Sequence, residues 1–96
     1  MSGFDDIIHQ PARLKIMSSL AALAGDEKVD FSHLKTLLRL SDGNLGAHLL
    51  KLEEAGYVSQ EKVFVDRKPR TFLQLTRTGR EAFQGHVQAL KALLGS

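Results

Sequence analysis

The chain contains no cysteine, which excludes disulfides and thiolate-based metal or redox chemistry. No apolar run approaches the ~20 residues that a membrane-spanning helix needs. The opening stretch MSGFDDIIHQP lacks a basic segment followed by a long apolar one, so it does not read as a secretory signal. Catalytic signatures are missing too. Serine, histidine and aspartate occur, but no nucleophile elbow brings them together, and there is no glycine-rich phosphate loop. His9, His33, His48 and His86 lack the H-x-x-x-H spacing of helical metal ligands. No segment repeats, and none is of low complexity. These absences argue against an enzyme, a metal site, a bound cofactor or a membrane protein. A soluble, reduced, cytoplasmic setting fits them.

What is present is enough for one small globular domain spanning residues 1–96. The apolar fraction of 43% is ordinary for a folded chain. The net charge of +2 is unevenly spread. Residues 1–61 carry six Lys/Arg against nine Asp/Glu, whereas residues 62–80 carry Lys62, Arg67, Lys68, Arg70, Arg77 and Arg80 against Asp66 alone. A basic block in a near-neutral domain suits a polyanion on one side, or a solvated hairpin.

Local signals give an element order. Pro11 suits the first turn of a helix, followed by Leu14, Met17, Leu20 and Ala21 at helical spacing, with Gly25 as its end. Val29-Asp30 can form a very short strand. Phe31 and Ser32 read as N′ and N-cap of a second, two-turn helix with Leu34, Leu37 and Leu38 inward, ending near Arg39. Ser41 or Asp42 caps a third helix that Gly56 terminates. Tyr57 to Val65 and Arg70 to Leu75 favour strands, joined by an Asp66-Arg67-Lys68-Pro69 turn. Thr76 caps a last helix with the stripe Phe83, Val87, Leu90 and Leu94. The order α-(β)-α-α-β-β-α, mainly α with a β-hairpin, is that of a winged helix-turn-helix.

The third helix is unusual. In LSDGNLGAHLLKLEEAGYV, Leu45, Leu49 and Leu52 face inward, which turns Gly43, Ala47 and Glu54 outward. Asn44 and Lys51 flank that face on one side and Leu50 on the other. Two glycines near the start of a helix cost about 1 kcal/mol each relative to alanine. A face this small lets a helix sit deep in a DNA major groove. Close helix packing is the other reading, for Gly46 above all.

LSDGNLGAHLLKLEEAGYV, the hairpin VFVDRKPRTFLQLT and the following LTRTGREAF together resemble winged-helix regulators of the MarR and ArsR type, in a small single-domain branch. PARLKIMSSLAAL resembles the first helix of that group. The resemblance implies a homodimeric, double-stranded-DNA-binding transcriptional regulator with the third helix in the major groove and the wing at the backbone or minor groove. The chain departs from the ArsR pattern at Gly46 and Ala47, where those proteins often carry serine and then a polar or basic residue.

Candidate DNA contacts follow. Asn44 can pair with the N6/N7 edge of adenine, Ala47 can touch a thymine methyl, and Lys51 can reach a phosphate. The backbone N–H groups near Asp42 and Gly43 offer a phosphate site. His48 suits either a phosphate contact or a helix-side hydrogen bond. Arg67, Lys68 and Arg70 are the wing cations. Phe4, Ile7 and Ile8 at one end, and Phe83, Val87, Leu90 and Leu94 at the other, form the expected dimer surface. Two alternatives stay open: a protein-interaction module using Leu50, and a sensor with an effector, of unknown identity, at the dimer seam.

Overall fold

The pyrrolidine ring of Pro11 removes an N–H that a first helical turn leaves unbonded anyway, and a helix does begin there. The computed structural model describes residues 5–23 and 27–95. Helix α2 spans Pro11–Ala21, and the Gln10 side chain caps it by accepting the Arg13 N–H at 2.9 Å. It buries Ile16, Met17 and Leu20. Gly25, its expected end, lies outside the described residues. Ahead of it stands a single turn that local signals did not reveal, α1 (Asp6–His9). Asp5 caps that turn, with Oδ1 accepting the Ile7 and Ile8 N–H groups at 2.8 and 3.0 Å.

Helix α3 spans Phe31–Leu38. Its N-cap is Asp30 rather than Ser32: the aspartate accepts the Ser32 N–H at 2.7 Å, which draws Phe31 and Ser32 into the helix. Leu34 is buried, but Leu37 is 59% exposed, a correction to the expected inward stripe. A two-turn helix has room for only a narrow buried edge. Arg39 closes it in the left-handed region, at φ 56°. Helix α4 spans Asp42–Glu54, capped by the Ser41 hydroxyl, which accepts the Asn44 N–H at 3.1 Å. Asp42 is thus the first helical residue, not the cap. Leu45, Leu49 and Leu52 are fully buried. The end of α4 is a Schellman turn. Gly56 stands at φ 81°, and the Gly56 and Tyr57 N–H groups donate to the Glu53 and Leu52 carbonyls, both at 2.9 Å.

Strands β1 (Val29–Asp30), β2 (Val58–Val65) and β3 (Lys68–Leu75) form an antiparallel sheet in the order β1-β3-β2. The β2–β3 register runs from Val58↔Leu75 to Val65↔Lys68. Only Asp66 and Arg67 are left for the turn, both at positive φ (51° and 65°). That twist suits a two-residue hairpin. The turn is therefore tighter than expected, and Lys68 and Pro69 belong to β3. Val58, Leu73 and Leu75 on one face of this ribbon complete the core.

Helix α5 spans Arg77–Leu93 and packs on α1, α2 and β3. Its cap, Thr76, accepts the Gly79 N–H and donates its own hydroxyl to the Gly56 carbonyl. A Cβ on Gly79 would lie 2.0 Å from the Tyr57 carbonyl oxygen, so only glycine lets the helix come this close. Buried His86 ties α1 to α5. Its Nδ1 accepts the Asp5 N–H at 3.0 Å, and its ring lies 5.5 Å from that of His9. The Tyr57 hydroxyl donates to the Asp5 carboxylate, which, with burial and the Asp5 charge, pushes the phenol up to about 12.

A proton added at His86 Nδ1 would turn the acceptor for Asp5 into a donor facing a donor. Burial first, then the nearby His9, lowers the pKa of His86, partly opposed by Asp5. A histidine with a lowered folded pKa favours folding above its unfolded value near 6.5. That contribution is lost as pH falls through the window below it. Stability should therefore fall between about pH 7.5 and pH 5.5, and fall less in His86→Gln. Urea unfolding at the two pH values checks this; equal losses in both proteins would contradict it.

Candidate nucleic-acid interface

The outer face of α4 exposes Gly43, Asn44, Ala47 and Lys51. A Cβ placed on Gly43 or Gly46 would meet no atom within 4 Å. Close packing therefore does not explain Gly46, and the fold would accept a side chain at both positions. The helix gives up about 1 kcal/mol of propensity at Gly46 without any return inside the chain. Leu50, on the flank, is 52% exposed.

Charge at the start of α4 is balanced, because the Asp42 carboxylate lies 2.8 Å from Lys35 Nζ. His48 is half-buried, and Arg13 reaches across from α2 to place Nη1 3.5 Å from its Nδ1. Burial, then the Arg13 charge, lowers the His48 pKa. Both causes favour the neutral imidazole over the imidazolium. The fixed cation here is Arg13, whose Nε also donates to the Ile7 carbonyl at 2.6 Å. Sequence reading missed Arg13 because its neighbour lies 35 residues away with no shared motif.

The β2–β3 register divides the basic residues. Residues opposite one another share a face. Lys68 and Arg70 thus lie on the face of Val65 and Val63, where Arg70 Nε is 3.6 Å from Asp30 Oδ2. Lys62 lies on the other face, with Thr71, Phe64 and Pro69. Arg67 occupies the turn. Of the three expected cations, Lys68 and Arg70 therefore flank Pro69 on one face of the ribbon and Arg67 stands at the tip. Lys62, Arg67 and Lys68 make no ion pair among the described residues.

The residues expected to form a dimer surface separate into two groups. Ile8 is a correction: it is fully buried in the chain's own core and offers nothing to a partner. Phe4 lies outside the described residues. Ile7 is partly exposed, Phe83, Val87 and Leu90 are half-buried, and Leu94 is 83% exposed.

Residues 12–94 match the winged helix DNA-binding domain family. The chain belongs to that family. The helix-turn-helix is α3–α4 and the wing is β2–β3. Over 87 residues, 91% of either chain, it is 39% identical to an uncharacterized protein of Methanocaldococcus jannaschii. Among solved structures it is similar to a transcriptional regulator homologue from Pyrococcus horikoshii, with 38% identity and a TM-score of 0.83, covering 92% of this chain and 84% of that one. No helix among the described residues is long and apolar enough to cross a membrane.

Two positions in this winged helix run against backbone preference in opposite senses. Gly46 sits inside a helix that would prefer alanine, and Arg67 sits at a positive φ that would prefer glycine. Gly46→Ala and Arg67→Gly should each raise unfolding stability by about 1 kcal/mol. Urea unfolding measures both; a loss of stability in either would show that the residue serves the fold.

Proposed function

We infer that the protein is a transcriptional regulator that reads double-stranded DNA as a homodimer, with α4 in the major groove and the wing on the backbone or minor groove. The observation that carries this reading is the open space around Gly43 and Gly46 on the first turns of α4. In a winged helix DNA-binding domain, a bare helix face that the fold does not require is what deep insertion into a groove needs. Asn44 supplies the adenine-reading amide, Ala47 the thymine-methyl contact and Lys51 a phosphate cation. The amides at Asp42 and Gly43 face phosphate, while Arg67, Lys68 and Arg70 hold the flanking backbone. Within the family, the HLLKLEEAGYV and LTRTG segments favour a MarR/ArsR-like branch.

The competing reading, a protein-interaction module, draws on exposed Leu37 and Leu50. Salt separates the two, since phosphate contacts release counterions and weaken steeply as salt rises. Affinity for a duplex selected from random sequence should fall along a log–log line in salt. Ala47→Glu should abolish binding at every salt by bulk and charge, while the unfolding midpoint stays unchanged. Fluorescence anisotropy reads both, and Ala47→Glu binding like the parent would remove α4 from the groove.

The dimer reading rests on α5. Phe83, Val87 and Leu90 are only half covered by the chain itself, and Leu93 and Leu94 project beyond it. The 4-3-4 spacing of Phe83, Val87, Leu90 and Leu94 suits a second α5 alongside. Sedimentation equilibrium at micromolar protein should give twice the chain mass, reduced to one chain mass by Leu90→Glu. A single-chain mass for the parent would contradict it.

A further inference from the structure

The wing carries a large apolar side chain where the core cannot use it. Phe64 is 79% exposed, six residues along β2 from Val58, the last residue of that strand in the core. Six strand residues extend about 20 Å. Phe64 pairs with Pro69 across the ribbon, and Val65, next along, is also exposed. Exposed strand edges are ordinarily protected by charge, yet here the distal ribbon ends in an aromatic ring backed by a proline. Lys62 lies two residues before Phe64 on the same face, and Arg67 sits just beyond it at the tip. Neither makes an ion pair among the described residues. An apolar tip flanked by uncommitted cations suits a narrow groove with phosphates along its rims.

We propose that Phe64, braced by Pro69, is an apolar wedge that enters the DNA minor groove beneath the wing and partly unstacks one base step, while Lys62 and Arg67 hold the phosphates on either side. The inference rests on the DNA-binding reading and adds a specificity element to it. Phenylalanine and proline are side chains that pry base steps apart from the minor groove. The groove, about 6 Å wide, admits a side chain but not the two-stranded ribbon itself, so the wedge acts from the tip. Unstacking costs least at pyrimidine–purine steps. The wing therefore selects a TA or CA step without any hydrogen bond to a base.

The test places 2-aminopurine at a TA step in the stretch of a selected duplex that the wing protects from cleavage. Binding of the parent protein should raise its fluorescence severalfold. Phe64→Ala should lose that rise and bind about tenfold more weakly. Its salt slope and its unfolding midpoint should be unchanged, because the ring is neither charged nor part of the core. Phe64→Leu, which keeps an apolar wedge, should retain part of the signal. Replacing the TA step by GG should weaken the parent about tenfold and leave Phe64→Ala nearly indifferent. Tight binding with no fluorescence rise, or a rise that survives Phe64→Ala, would overturn the wedge and leave the DNA reading intact. A change of oligomeric state in Phe64→Ala would assign the ring to a subunit contact and likewise overturn it. Failure of the parent to bind any duplex would defeat both readings together.

Discussion

The Tyr57 carbonyl sits where the last turn of α4, the first residue of the wing and the first turn of α5 converge. It accepts the Thr76 N–H at 3.0 Å, and it lies so close to Gly79 that no side chain fits between them. One residue earlier, Gly56 turns the chain out of α4 at a positive φ, and its carbonyl takes the Thr76 hydroxyl. The Tyr57 ring then reaches Asp5, which caps α1 and donates its own N–H to His86 of α5. The direction of α4, the root of the wing and the seating of the terminal helices are all set at this corner. Loosening it would move α4 and the wing relative to each other.

From that corner the chain builds two elements of opposite design. Helix α4 keeps its core side fully apolar and the first turns of its outer side nearly bare, with Gly43 and Ala47 exposed there. The hairpin β2–β3 does the reverse. It leaves the core after a few residues and carries large side chains, Phe64, Arg67, Lys68 and Arg70, on a projecting ribbon. Arg67 is held at its tip in a left-handed conformation that costs a non-glycine residue roughly 1–2 kcal/mol. Neither design favours stability of the isolated domain. Both make sense as a surface shaped for a grooved, negatively charged partner.

Most of the architecture was legible from short-range patterns. Leu45, Leu49 and Leu52 repeat at helical spacing and are all buried. Ser41 and Thr76 cap the helices that follow them, and Gly56 marks the end of α4. What was not legible depends on residues far apart in the chain. Helix α1 is a single turn, too short to show a period, and rests on contacts 52 and 81 residues away. Asp30 and Ser32 are both good caps, and Asp30 is held besides by pairing of β1 with β3. The Asp66-Arg67 turn carries no glycine, so Pro69 drew the expected turn two residues too far. The candidate interface was legible on α4, where a bare face can be read from helical periodicity. It was only half legible on the wing, because the register that puts Phe64 and Lys62 on one face and Arg70 on the other is fixed by the turn. Ile8 shows a further limit: an apolar residue near a terminus looks like spare surface until the helix that covers it is known.

The central claim is that the bare face of α4 is bare because DNA lies against it. The most direct measurement is a titration of the nitrogen-15-labelled protein with its selected duplex, followed amide by amide by NMR. The amides of Gly43, Asn44, Gly46, Ala47 and Lys51 should shift on binding together with that of Arg67, and the shifts should collapse at high salt, while those of Val87 and Leu90 on α5 stay in place. Shifts that bypass the first turns of α4 and gather on α5, or that persist undiminished in high salt, would contradict it.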